Sequence, residues 1–246
     1  VRTAVLSDIH GNLEALQACV AHARRQGVDG WAFLGDFVNY GADPLACLDL
    51  VRELAGDAPV AVRGNHDEAA LGGLWESMNP VAREALHWTR RHLGDDERDF
   101  LAALPYRADL AEALLVHASA HRPGEWEYLA GTTQARQCLH ATRSDLVFAG
   151  HMHVPMLYHR SSDQVRAFDP PAGIAVPLAT SRQWLVVAGS VGQPRDGNCA
   201  AAYLLYDSDK REVSSCRVPY DHVEAARKIL AAGLPRELAW RLARGI

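Results

Sequence analysis

Apolar and polar positions alternate in blocks along the first quarter of the chain. Residues 2–7 form a short apolar run that reads as a buried strand, and Asp8-Ile9-His10-Gly11-Asn12 follows as a polar turn. Leu13, Leu16 and Val20 then recur at helical spacing, with Asn12 placed to cap the helix and Gly27 to stop it. A second strand over 30–34 ends in Gly35-Asp36. Asp43-Pro44 opens a second helix with Leu45, Leu48 and Val51 on one face and Gly56 near its end. The run 58–62 predicts a third strand that delivers Arg63-Gly64-Asn65-His66-Asp67 as a turn. Strand, helix, strand, helix, strand predicts a parallel sheet with right-handed crossovers, whose carboxyl edge is where ligands bind.

Residues 68 to about 104 break the alternation. Asn79-Pro80 and Asp95-Asp96 each start a helix there, so the block reads as a helical excursion packed near the same edge. Residues 106–110 and 113–116 predict an antiparallel pair ending in His117-Ala118-Ser119. A helix over about 132–142 leads to a strand at 146–149 that ends in Gly150-His151-Met152-His153. Short strands at 156–160, 165–168, 185–188, 201–206 and 213–218 follow without intervening helices, so the second half reads as antiparallel. The Pro- and Ala-rich stretch 169–181 reads as a loop, and helices at about 221–232 and 235–244 close the chain. The terminal helix, with Leu234, Leu238 and Leu242 in line, is expected to pack on the sheet.

Composition narrows the possibilities. At 246 residues a single domain, 1–246, is expected. A formal net charge of −5 gives no footprint for nucleic acid as the main partner. No apolar stretch reaches the ~18 residues of a membrane span. The first residues enter a strand without a signal-peptide layout, which makes the cytoplasm the expected location. The five cysteines are odd in number, scattered and never in a C-x-x-C pair, which disfavours disulfides and thiolate zinc and predicts buried free thiols. Histidine, at twelve, is the conspicuous residue type.

Five segments share one property: each ends a predicted strand with side chains able to hold a metal. They are Asp8 with His10, Asp36, Asn65 with His66, His117, and His151 with His153. Singly, Asp8 reads equally as a helix cap, Asp36 as a turn residue and His117 as a core histidine. In an extended segment residues i and i+2 point to one side, so Asp8-x-His10 and His151-x-His153 are each expected to present two ligands together. Oxygen and imidazole without sulfur suit Mn, Fe, Zn, Co or Ni. Seven ligands exceed the need of one small ion, so two ions sharing a carboxylate are expected.

The order of these blocks, Ser7-Asp8-Ile9-His10-Gly11-Asn12, Gly35-Asp36, Gly64-Asn65-His66-Asp67, Val116-His117 and Gly150-His151-Met152-His153, resembles the calcineurin-like metallophosphoesterases over residues 1 to about 199. The resemblance implies an α/β four-layer sandwich, two stacked mixed β-sheets flanked by helices. It places Asp8, His10 and His153 on one metal, Asn65, His117 and His151 on a second, and Asp36 on both. It implies two divalent ions, manganese first, and a metal-bridging hydroxide attacking a small or nucleotide-like phosphodiester or phosphomonoester. His66 would meet the leaving group, with Asp67 orienting its ring.

Departures narrow the substrate. Where protein phosphatases of the family carry G-D-x-V-D-R-G, this chain has Gly35-Asp36-Phe37-Val38-Asn39-Tyr40-Gly41, with Tyr40 in place of the phosphate-holding arginine. The Asn39-Tyr40-Gly41 block and the stretch 189–197 instead resemble a branch of small prokaryotic phosphoesterases. In that stretch Arg195 either replaces the missing phosphate contact or pairs with Asp196. Dinucleoside polyphosphate hydrolysis is the alternative activity, and a protein-binding scaffold on the same fold the alternative of another class. His121 is open as a pocket residue, while His22, His87, His92, His140, His159 and His222 are expected at the surface.

Overall fold

The structure is a computed structural model that describes residues 1–56, 60–73, 76 and 78–246. The strands are β1 (Arg2–Leu6), β2 (Gly30–Phe33), β3 (Arg107–Leu110), β4 (Ala113–Val116), β5 (Leu146–Ala149), β6 (Met156–Ser161), β7 (Gln164–Phe168), β8 (Ala175–Pro177), β9 (Gln183–Val187), β10 (Ala201–Asp207) and β11 (Glu212–Val218). The helices are α1 (Leu13–Arg25), α2 (Pro44–Ala55), α3 (Asn65–Ala70), α4 (Pro80–His92), α5 (Asp95–Ala103), α6 (Thr132–His140), α7 (His222–Ala231) and α8 (Arg236–Leu242).

Among the described residues the strands form two mixed sheets. The first runs β2-β1-β10-β11-β8 and the second β3-β4-β5-β9-β6-β7. Side-chain alternation turns one face of each sheet toward the other. Val5, Leu34, Leu204 and Tyr206 pack against Leu115, Phe148, Leu157 and Val186 in a shared inner core. Phe148 meets Tyr206 edge-on across it, ring centroids 5.2 Å apart. The outer face of the first sheet, through Ala4, Leu6, Phe33 and Tyr203, buries the apolar stripes of α1 and α2. The outer face of the second, through Val116, Val147 and Val187, buries Ala135, Cys138 and Leu139 of α6. The layers therefore run helix, sheet, sheet, helix.

Local signals produced the expected helix starts. Asn12 accepts from the Ala15 amide at 3.1 Å, Asn79 from Ala82 at 2.9 Å and Asp221 from Glu224 at 2.9 Å. Three expectations need correction. The third strand is reduced to a single parallel bridge, Phe33 to Ala61, because the Arg63 amide leaves the ladder to donate to Pro105 O at 2.9 Å; Ala58 and Pro59 of that expectation lie outside the described residues. The second half is not wholly antiparallel, since β9 lies parallel to β5 while β6 pairs with its other edge. Both β5 and β9 are buried on both faces, a pattern in which hydrophobicity carries no directional signal. The loop at 169–181 contributes β8, which pairs antiparallel with β11. No described helix is long and apolar enough to cross a membrane.

Candidate metal centre

All the predicted site segments meet above the carboxyl ends of β1, β2, β4 and β5, where the loops are tied to one another through their main chains. The Asp8 amide donates to Gly35 O at 3.0 Å, His10 to Asp36 O at 2.9 Å and Gly150 to His117 O at 2.8 Å. The stretch 189–197 runs alongside, with the Val191 and Gly192 amides donating to Ser7 O and Asp8 O, each at 2.9 Å. Packing is tight enough to require glycine at 64, where a Cβ would overlap the Asp36 carboxylate and amide.

The geometry that aims the side chains is not the extended one expected. Asp8, His10, Asp36, His151 and His153 all have left-handed backbones, with φ of 54°, 50°, 55°, 64° and 60°. Such conformations cost on the order of 1–3 kcal/mol each and persist where the surroundings over-determine them. Successive tight turns, and not an extended i, i+2 segment, thus aim the side chains of Asp8-x-His10 and His151-x-His153. One result is that His151 and His153 face different partners: His153 groups with Asp8 and His10, and His151 with Asp36 and His117.

Each carboxylate commits one oxygen to the scaffold. Asp8 Oδ2 accepts from Ser7 Oγ at 2.6 Å and the His151 amide at 3.0 Å, and Asp36 Oδ1 accepts from the His66 amide at 2.8 Å. The other oxygens, Asp8 Oδ1 and Asp36 Oδ2, are buried without a hydrogen-bond partner, as is His151 Nε2. Around them, His153 Nε2 lies 3.2 Å and His10 Nε2 3.8 Å from Asp8 Oδ1; His117 Nε2 lies 3.3 Å and His10 Nε2 3.7 Å from Asp36 Oδ2. Asn65 Oδ1 adds an amide oxygen 3.0 Å from His117 Nε2. His10, His117 and His153 each turn Nδ1 onto a main-chain carbonyl, Val38 O at 3.2 Å, Leu34 O at 2.6 Å and Gln193 O at 2.6 Å. A carbonyl only accepts, so Nδ1 carries the proton and Nε2 is left as a lone pair aimed inward, the arrangement of a metal-ligating imidazole. Carboxylate oxygens, an amide oxygen and imidazole nitrogens converging in this way fit divalent cations.

The electrostatics agree. Burial opposes charge on Asp36, yet the surrounding imidazoles of His117 and His66 hold its carboxyl well below the usual range. Burial pulls His66 down to about 4 and His151 down to about 3. His117 differs: burial pulls on it too, but the Asp36 carboxylate outweighs it and brings the ring up to about 9, so without a cation its Nε2 carries a proton toward Asp36, and a bound ion takes that proton's place.

His66 and Asp67 do not form the expected pair. The motif is the first turn of α3, and the Asp67 carboxylate accepts from the amides of Gly64 at 2.9 Å, Asp36 at 2.8 Å and Phe37 at 2.9 Å. Asp67 is therefore a clasp between two loops and never reaches the imidazole. The His66 ring partner is Asn39, whose Nδ2 lies 2.7 Å from Nδ1. Asn39 is not among the residues expected at the site, although it stands at the second aspartate of the G-D-x-V-D-R-G pattern. His66 Nε2 lies 3.9 Å from Asp36 Oδ2.

A cleft of about 480 Å³ opens onto Asn65, His66 and His151, with Tyr40, Trp126 and Tyr128 among its walls. The Tyr128 ring lies 4.2 Å from that of His151, centroid to centroid, and Trp126 lies 5.8 Å from His117. Tyr40 is thus at the site. Arg195 is behind it, its guanidinium 6.0 Å from the Tyr40 ring, with NH2 on Gln193 Oε1 at 2.7 Å and a buried Nε lacking a partner. The expected alternative for Arg195 does not occur, because Asp196 is taken by Arg217. His121 pairs with Glu127 at 3.5 Å and is not among the residues lining the cleft. His87, His92 and His140 are exposed, whereas His22, His159 and His222 are half-buried.

The profile of the calcineurin-like phosphoesterase superfamily domain matches residues 1–211. The chain belongs to that superfamily. An uncharacterized protein of Methanocaldococcus jannaschii, MJ0912, is 33% identical over 244 residues, covering 97% of this chain and 96% of its own length. A crystallised metallophosphoesterase from Sphaerobacter thermophilus superposes with a TM-score of 0.89 at 37% identity, covering 100% of this chain and 99% of that one. A symmetrical bis(5'-nucleosyl)-tetraphosphatase from Chromohalobacter salexigens is 30% identical over 155 residues, 58% of this chain and 52% of its own. As a calcineurin-like phosphoesterase the chain is a hydrolase of phosphoester bonds, and its buried Asp and His clusters fit the divalent metal ions that the superfamily implies.

Proposed function

We propose that this chain, working as one domain over residues 1–246, is a dinuclear metallophosphoesterase that hydrolyses a small or nucleotide-like phosphodiester or phosphomonoester. The observation that carries the reading is the convergence of orphaned acceptors, Asp8 Oδ1, Asp36 Oδ2 and His151 Nε2, with the Nε2 atoms of His10, His117 and His153, beside a cleft that opens onto His151. Asp8, His10 and His153 would hold one ion, Asn65, His117 and His151 a second, and Asp36 both. Two divalent ions, manganese first and iron, zinc, cobalt or nickel as alternatives, supply Lewis acidity and an activated water for attack on phosphorus. The residues of the chain do the rest. Two buried carboxylates leave the loaded site with net positive charge for an anionic ester, His66 presents Nε2 toward the leaving group, and Tyr40 with Arg195 borders the phosphate. The aromatic walls, Trp126 and Tyr128, suit a flat base or aryl group.

The tetraphosphatase relative favours a second reading, dinucleoside polyphosphate hydrolysis. Against it, the described lining of the cleft offers no lysine or arginine for additional phosphates and includes Glu125. The test is a panel of aryl phosphodiesters, aryl phosphomonoesters and dinucleoside polyphosphates assayed with manganese-loaded protein. Turnover of the diester or monoester is expected, turnover confined to the polyphosphates selects the second reading, and turnover of none contradicts both.

A further inference from the structure

His66 differs from the other imidazoles at the site in what its inward nitrogen carries. In His10, His117 and His153 Nδ1–H donates to a main-chain carbonyl, so the neutral ring has its lone pair at Nε2. At His66 the partner of Nδ1 is the Asn39 side-chain amide, and the orientation of that amide is fixed from two sides. Asn39 Oδ1 accepts from the Tyr40 amide at 2.9 Å, and Nδ2 donates to Ala82 O at 3.3 Å. A flipped amide would set its NH2 against the Tyr40 N–H and its oxygen against the Ala82 carbonyl, so the network itself assigns the two atoms. Nδ2 therefore donates to His66 Nδ1 at 2.7 Å, Nδ1 holds the lone pair, and the single ring proton sits on Nε2.

This tautomer has a chemical consequence. A neutral imidazole that gave up its Nε2 proton would become an imidazolate, and Asn39 has no proton to move onto Nδ1 in exchange. An imidazolium, which could give the proton up, would press an Nδ1–H against the Asn39 NH2. We propose that Asn39 is a positioning residue that holds His66 as a neutral hydrogen-bond donor through Nε2, so that His66 is neither a metal ligand nor a general acid. In the reaction a hydroxide oxygen forms a new bond to phosphorus while the scissile P–O bond breaks with its electron pair going to the leaving oxygen, which accepts a hydrogen bond from Nε2–H and afterwards takes its proton from water, regenerating hydroxide. The substrates such a site favours are esters or anhydrides whose leaving oxygen is stable as an anion, an aryl alcohol or a phosphate, over those that release an alkyl alcohol. The inference rests on the phosphoesterase reading for its chemistry, but the tautomer stands on geometry alone.

The experiment has two arms. Nitrogen-15 NMR of histidine-labelled, zinc-loaded protein reads the tautomer directly, with the His66 ring assigned by the signal lost in His66→Gln. An unprotonated Nδ1 and a protonated Nε2 are expected; a proton on Nδ1 overturns the proposal. The second arm compares manganese-loaded wild type with Asn39→Asp on aryl and alkyl phosphodiesters. A carboxylate at 39 accepts from Nδ1–H and permits the imidazolium, so the alkyl-to-aryl rate ratio should rise by about 10-fold or more. A proton moved to Nδ1 with an unchanged ratio overturns the assigned role. If neither enzyme turns over any phosphoester, the phosphoesterase reading fails and the NMR arm alone decides the assignment of Asn39.

Discussion

His10 Nε2 and His153 Nε2 face one another at 3.3 Å, from loops 143 residues apart in sequence. Their rings are stacked, 5.0 Å between centroids and 20° between planes, and each has its Nδ1 on a main-chain carbonyl. Two lone pairs so placed, beside the orphaned Asp8 Oδ1, repel unless a cation lies between them. Cation binding should therefore stabilise the folded chain. At a free manganese concentration 100 times the dissociation constant each independent site adds about 2.7 kcal/mol. Thermal unfolding with manganese and with chelator should show the loaded protein melting higher, and His153→Ala should keep only part of the shift.

Asp36 is the proposed bridge between the two ions, with His10, His66 and His117 facing its buried oxygen. Asp36→Asn keeps an oxygen for the His66 amide but removes the charge that faces His10, His66 and His117. It should bind fewer ions per chain and lose turnover by at least about 100-fold. Elemental analysis of the purified variant beside its kinetics checks both.

Much of the site is legible in sequence because strand ends, helix caps and glycine turns are local signals. Asn12, Asn79 and Asp221 cap as expected because the cap bonds span only three residues. Local pattern says nothing about partners that meet only after folding. Asp67 finds the Asp36 and Phe37 amides, and His66 finds Asn39, across about 30 residues, so the expectation that adjacent His66 and Asp67 pair with each other failed. The left-handed turns at Asp8, His10, His151 and His153 were equally hidden, since nothing in those residue types demands positive φ.

Asp67 should consequently matter to stability more than to the chemistry of His66. Asp67→Asn leaves one acceptor oxygen for amides that now have two, and turns an NH2 toward a buried N–H. A loss of about 1–3 kcal/mol is expected in urea unfolding. Chemical shifts of the His66 ring at its Asn39 contact should be unchanged.

Gly64→Ala tests the close approach of the two loops. The added Cβ falls on the Asp36 carboxylate and amide, so α3 must move away from β2. Reduced metal content and a lower melting temperature are expected together; wild-type values of both would show that the loops have room to separate.

Trp126 and Tyr128 should act through substrate binding. Replacing either with alanine removes a stacking surface worth about 1–3 kcal/mol per base or ring. KM for aryl and nucleotide-like esters should rise about 10-fold with kcat little changed, as steady-state kinetics on the variants will read.

On the proposed function the chain holds two divalent ions joined by Asp36 beside an unligated His66. Anomalous diffraction at the manganese edge from crystals of the loaded protein would locate them. Two peaks are expected, one ringed by Asp8, His10 and His153 and one by Asn65, His117 and His151, with Asp36 touching both and His66 Nε2 touching neither. A single peak, or a manganese ion bound to His66, would contradict that arrangement.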